Sequence, residues 1–190
     1  MIHRNRLRSA WNRVGSGEIH RAPREWQPWL SDTGSLTQKI EKAIGQKLEV
    51  QVLRDCPQSL NSDESRYFHF KLRRCRVREV LLCSNGVPLV MAHSVIPTLS
   101  SSGSNHVVLR LGTKPLGAVL FAKTRKHSKV KPPRDIARLD KSSELWKKSF
   151  KHFPDLRSPL WARRTLYRLK GHPILVNEIF LPALLNAVKF

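Results

Sequence analysis

The stretch Val77-Arg78-Glu79-Val80-Leu81-Leu82-Cys83-Ser84-Asn85-Gly86-Val87-Pro88-Leu89-Val90-Met91-Ala92-His93-Ser94-Val95-Ile96 decides the fold. Asn-Gly is the pair a two-residue hairpin favours, because both central residues of a type I′ turn need positive φ. Val77 to Cys83 and Val87 to about Ile96 are therefore expected to be neighbouring antiparallel strands. Upstream, Leu48, Val50 and Val52 alternate with Glu49 and Gln51, the period of a half-buried strand. Downstream, Thr165 to Leu169 and Pro173 to Leu181 flank a Lys170-Gly171 turn. His106 to Leu111 reads as one more apolar strand after the polar loop Ser100 to Asn105. Strands linked by hairpins, with few helices and no βαβ alternation, imply the α+β class: a single domain whose antiparallel sheet of about six strands is covered by helices.

Three helices are expected. Ser35-Leu36-Thr37-Gln38 has capping-box spacing; Leu36, Ile40, Ala43 and Ile44 then share a face, and Gly45 ends the helix. Thr113 caps a second, with Pro115 in its first turn and Leu116, Val119 and Leu120 as its apolar stripe. Ser143 to Phe153 is the third. Lys123 to Asp140, polar and carrying Pro132-Pro133, reads as an exposed loop. Residues 1–24 carry six arginines from Arg4 to Arg24 with little apolar periodicity and are expected to be a flexible basic arm. Residues 25–190 then form the domain, with a basic insertion near 123–160.

The 190 residues, 40% of them hydrophobic, suffice for one core. No apolar run approaches the roughly 20 residues that span a bilayer, and the basic start lacks an apolar segment behind it, so a cytoplasmic protein is expected. Cys56, Cys75 and Cys83 lack CxxC spacing, and the histidines are scattered without HExxH, so no metal site is expected. The net charge is +21, and Lys123 to Lys170 holds 16 basic against 4 acidic residues. Such a field attracts anions. It suits nucleic acid or an anionic membrane surface, yet no RNP strand, KH loop, zinc finger or basic zipper accompanies it. A solvated basic face serving solubility weighs equally.

Two strands place a charge where alternation predicts an apolar, inward face: Arg78 beside Val80 and Leu82, and Glu178 between Val176 and Phe180. A lone buried charge costs several kcal/mol. Either Arg78 and Glu178 pair, with each other or with further charges, or these faces are solvated, or the two charges stand at two ends of a closed pocket. In the pocket reading Arg78 presents a planar fork to a carboxylate, and the N–H of Leu116 at a helix start favours the same anion.

The motifs Val77-Arg78-Glu79-Val80-Leu81-Leu82-Cys83 with Asn85-Gly86-Val87-Pro88, Leu111-Gly112-Thr113-Lys114-Pro115-Leu116-Gly117, Trp161-Ala162-Arg163-Arg164 and Leu175-Val176-Asn177-Glu178-Ile179-Phe180-Leu181-Pro182 resemble, in order, those of the chorismate pyruvate-lyase family. The resemblance runs from about Trp26 to Pro182. It implies a carbon-oxygen lyase that converts chorismate to 4-hydroxybenzoate and pyruvate at the entry to ubiquinone synthesis. It implies that Arg78 and Glu178 are the catalytic pair and that Leu36, Arg78, Leu116 and Glu178 bind substrate: Arg78 and the Leu116 N–H on the ring carboxylate, Glu178 at the ring hydroxyl. Leu36 stands where family members can have methionine. Arg163 or Arg164 either meets the second carboxylate or is a surface pair balancing acids. A monomer is expected, with peripheral membrane contact through the basic surface as an accessory role. The alternatives are a non-catalytic ligand sensor on the same fold and a basic nucleic-acid-binding protein.

Overall fold

A computed structural model of the chain describes residues 11–13, 17–68, 75–101, 103–122, 132–156 and 159–188. Among the described residues seven antiparallel strands form one sheet: β1 (Asn12–Arg13), β2 (Glu49–Gln58), β3 (Cys75–Ser84), β4 (Val87–Pro97), β5 (Arg134–Leu139), β6 (Leu160–Leu169) and β7 (His172–Phe180). Their order is β1-β5-β6-β7-β4-β3-β2. Six are long, and β1 is a two-residue bridge. The sheet is thus two consecutive meanders, β2-β3-β4 and β5-β6-β7, joined along β4 and β7. The β3–β4 hairpin turns at Asn85 and Gly86, both at positive φ (49° and 75°), as the Asn-Gly pair requires.

Helices cover both faces. On one face α1 (Gln27–Ser31), α2 (Leu36–Ile44) and α6 (Ala183–Ala187) bury Trp29, Leu30, Ile40 and Leu184 against Val80, Leu82, Val90 and Phe180. Ser35 caps α2 by accepting from the N–H of Gln38, and Gly45 ends it at φ 73°. On the other face α5 (Glu144–His152) lays Leu145 and Trp146 on Met91, Ala162 and Ile179, and α3 (Ser62–Tyr67) packs beside it. Because both faces are covered, the central strands are buried throughout and alternation no longer separates polar from apolar residues.

Three sequence expectations differ. His106 to Leu111 is not a strand: Gly103–Leu109 is a 3-10 helix, in which Val108 turns inward to join Leu111, beyond the helix, and Ile174. The helix expected from Thr113 to Phe121 is only α4 (Gly117–Leu120), with Leu116 at its N-cap position. The turn at Gly112, φ 52°, delays it, so Thr113 is not the cap of this helix. The loop expected from Lys123 to Asp140 lies outside the described residues over 123–131, but Arg134–Leu139 is strand β5 with Ile136 and Leu139 buried. Its charges concealed it: Arg134 and Asp135 are inside, each held by side chains of β6. Of the expected basic arm, 11–13 and 17–24 are described; Asn12 and Arg13 pair with β5, and Ala22 is buried against the α1 region.

Candidate active site

One row of the sheet runs Arg78, Ser94, Val176, Thr165, Arg134 across β3, β4, β7, β6 and β5. The next runs Val80, Ala92, Glu178, Arg163, Ile136. Directly paired residues share a face, so both rows project toward α2 and α4. Between those helices and the rows lies a small cavity of about 50 Å³. Arg78, Glu178, Leu36 and Leu116, the four residues expected at the site, all line it, with Val80, Leu82, Ala92, Leu120, Phe121 and Val176 as apolar wall. Arg78 and Glu178 stand two strands and two positions apart, roughly 12 Å between Cα atoms.

They do not pair with each other. Arg78, 2% exposed, donates from Nη1 to Asp55 at 2.9 Å and from Nη2 to the carbonyls of Gly112 at 2.7 Å and Lys114 at 3.2 Å. Asp55 reaches this face through a bulge. Val52 pairs with Val80, Leu53 is the extra residue, and Arg54 pairs with Glu79, which turns Asp55 to the side of Arg78. The carbonyl bonds also tie the Gly112–Lys114 turn, and with it the Leu116 backbone, to Arg78. Within this turn the N–H groups of Lys114, Ala118, Val119 and Leu120 have backbone acceptors, and none of these bonds uses the N–H of Leu116.

Glu178 has its own cation. Arg163, fully buried, donates from Nε to one carboxylate oxygen and from Nη2 to the other at 3.2 Å, while Nη1 takes the carbonyls of Trp29 at 2.8 Å and Asp32 at 2.9 Å. Burial alone would lower the pKa of this guanidinium; the Glu178 carboxylate outweighs it and raises the pKa. Burial, with Glu178 beside it, raises the Tyr167 phenol too, so this pocket residue stays protonated. Arg163 is therefore committed beneath the pocket. Arg164 points to the opposite face, bound by Asp63 at 2.8 Å and Asp135 at 3.3 Å and stacked between Trp11 and Tyr67. Sequence reasoning missed Asp55, Tyr167 and Arg134. The clue it held was Arg134-Asp135 between Pro133 and an apolar pair, a charge placement that matches that of Arg78-Glu79.

Among the described residues no cluster of three His, Cys, Asp or Glu is placed to hold a metal, and no helix is long and apolar enough to cross a membrane.

A sheet that buries charge against one face and closes helices over it defines an α+β domain built to enclose a small polar ligand. The chain belongs to the chorismate lyase family, which it matches over residues 7–189. It is 37% identical over 165 residues to the probable chorismate pyruvate-lyase of Thiobacillus denitrificans, covering 87% of each chain. To that of Aromatoleum aromaticum it is 38% identical over 171 residues, 87% of this chain and 89% of the relative. To the chorismate pyruvate-lyase of Yersinia enterocolitica it is 32% identical over 156 residues, 82% and 80%. Among solved structures it shares its fold with PhnF from Mycobacterium smegmatis (TM-score 0.55, 13% identity, 80% of this chain and 66% of that one). The effector domain of PhnF aligns likewise, with TM-score 0.51 and 14% identity over 80% and 91%. The family membership makes the chain a lyase and disfavours the sensor and nucleic-acid readings.

Proposed function

We propose that the protein is a chorismate pyruvate-lyase in which Arg78 and Glu178 hold the ring of chorismate between them. The observation that carries this reading is the convergence of these two buried charges, each with its own counter-ion, on one apolar pocket. Arg78 takes the ring carboxylate with the N–H of Leu116, Leu36 closes the pocket from α2, and Glu178 accepts from the ring hydroxyl.

In the reaction the ring C3–O bond breaks and the ring C4 hydrogen is lost, giving aromatic 4-hydroxybenzoate; the ether oxygen becomes the carbonyl of pyruvate, and its methylene gains a hydrogen. Aromatisation makes the step strongly downhill, so the chain's task is geometry. Enforcing a reactive geometry contributes roughly 7–11 kcal/mol. With both Glu178 oxygens bound by Arg163, we assign Glu178 to holding the hydroxyl, and the hydrogen passes from C4 to the enolpyruvyl methylene within the substrate. Protein-base transfer is the competing mechanism, and wash-out of a C4 label into solvent would favour it.

The same reading makes the protein a cytoplasmic monomer acting first in ubiquinone synthesis, without cofactor or obligate nucleic acid, its positive field steering the dianion and touching membranes peripherally. The test is to mix the pure protein with chorismate, without added metal, and follow both products. Equal amounts of 4-hydroxybenzoate and pyruvate support the lyase. Tight binding of 4-hydroxybenzoate with no turnover sinks it in favour of a sensor.

A further inference from the structure

We propose that Arg134 receives the second carboxylate of the substrate, the one on the enolpyruvyl arm; this deepens the lyase reading and rests on it. Chorismate is a dianion, and Arg78 with the Leu116 N–H accounts for one charge. Of the two cations the sequence suggested for the other, Arg163 gives Nε as well as both terminal nitrogens to Glu178 and two carbonyls, whereas the bonds of Arg78 to Asp55 and two carbonyls leave its Nε out, and Arg164 lies on the far side of the sheet.

Arg134 stands at the opposite end of the row that begins with Arg78, and the two Cα atoms are four strand spacings apart, roughly 19 Å. It is only 6% exposed. Its Nε donates to Thr165 Oγ1 at 2.9 Å, which carries the guanidinium from β5 over β6 toward β7, the pocket strand. Nη1 donates to the carbonyl of Asp32. Nη2 is buried without a hydrogen-bond partner, and none of the ion pairs among the described residues involves Arg134. Burial, and then Arg163, lower its pKa, whereas Tyr167, which interacts with it through its hydroxyl, and Glu178 favour its charge; both of these line the pocket, and Arg134 stands behind Tyr167 rather than in the wall itself. A buried guanidinium with no carboxylate of its own among the described residues, costly in itself, becomes favourable when one meets it.

The chemistry fits this end of the pocket. The enolpyruvyl ether leaves C3, next to the carbon that bears the hydroxyl, so its carboxylate falls on the Glu178 side. A ligand lying over Ser94 and Val176 then has a guanidinium at each end of its row. Arg134 is on this account a binding and positioning residue that discriminates chorismate from its aromatic product, because 4-hydroxybenzoate has no second carboxylate to offer.

Two probes separate the charges: 3-(carboxymethoxy)-4-hydroxybenzoate, a dianion, and the methyl ester of its side chain. In calorimetric titration of the wild-type protein the dianion is expected to bind at least about 10-fold more tightly than the ester, the difference one charge-assisted pair provides. In Arg134→Met that preference is lost while ester affinity stays within about threefold, kcat/KM for chorismate falls about 100-fold, and Arg134→Lys restores part of both. Equal wild-type affinity for the two probes overturns the assignment whether or not any variant folds. So does a parallel loss of dianion and ester in Arg134→Met. A wild-type protein that prefers the dianion but never turns over chorismate leaves the carboxylate site standing and removes the lyase reading instead.

Discussion

Replacing Arg163 by methionine probes the arrangement beneath the pocket without touching its walls. Methionine keeps much of the volume and removes every donor. The change leaves the Glu178 carboxylate, 8% exposed, without its cation, and leaves the carbonyls of Trp29 and Asp32 each short of a bond. Breaking one side of a buried pair costs about 3–5 kcal/mol, to which the orphaned acceptors contribute. A net loss near 4 kcal/mol is the working figure, which at a urea m-value of about 2 kcal/mol/M moves the unfolding midpoint down by roughly 2 M. For a chain of this length it lowers Tm by about 8–16 °C. The measurement is a urea titration followed by tryptophan fluorescence, with Arg163→Met/Glu178→Gln alongside. Removing both charges should recover more than half the loss, since a pair is far cheaper to delete than to break. A midpoint shift under about 0.5 M in the single variant, or no recovery in the double, would refute the claim that Arg163 exists to hold Glu178.

Arg78→Ala should lower kcat/KM for chorismate by about 100-fold or more in a chain that still folds but is less stable, Asp55 and two carbonyls having lost their donor, and Glu178→Gln should depress kcat more than affinity; wild-type kinetics in either removes that residue from the site. Burial alone would raise the pKa of Glu79, but hydrogen bonds from His93 at 2.9 Å and from Lys148 hold it at about 2, whereas those of Glu64 and Glu79 raise His93. Glu79 therefore contributes stability above about pH 4.5, of order 2–3 kcal/mol, that is lost as pH falls toward 2. The His93 contribution is full below about pH 6.5 and is lost as pH rises through its elevated folded value. Thermal melts should thus decline on both sides, with Glu79→Gln flattening the acid limb; an unchanged acid limb counts against the network. Cys75 and Cys83 are buried, and burial lifts Cys75 to about 11, so one thiol, Cys56, should react promptly with an aromatic disulfide in the native state. Fast reaction of all three contradicts this burial.

How far the sequence speaks depends on whether a signal is local. The Asn85-Gly86 turn, the Ser35 cap and the Gly45 stop are set by residues within a few positions of each other, and each stands where reading placed it. The inward charges of Arg78 and Glu178 were also legible, because a period of two survives in a covered strand. Their partners were not. Asp55 reaches Arg78 only because Leu53 is squeezed out of register, and Arg163 lies beneath Glu178 because β6 neighbours β7 in that register. Strand β5 hid behind Arg134, Asp135 and Arg138, since hydropathy scores a charge identically whether it meets water or a counter-ion. The apolar run around Val108 misled in the other direction, being too brief for a helical period to be distinguished from alternation.

The line where β4 meets β7 has a consequence for how the molecule forms. Each meander can zip from its own turns, yet Asn177 and His93, bonded across that line, are 84 positions apart. Closing a loop of this size costs about 4 kcal/mol in chain entropy before any reward is collected. The joining of the two halves is then the late, slow event of folding, as for other contacts distant in sequence. Arg78 belongs to the first half, Glu178 and Arg163 to the second, so the pocket comes into existence only at that moment. An anion spanning the join would act on the unfolding rate more than on the early collapse of either half.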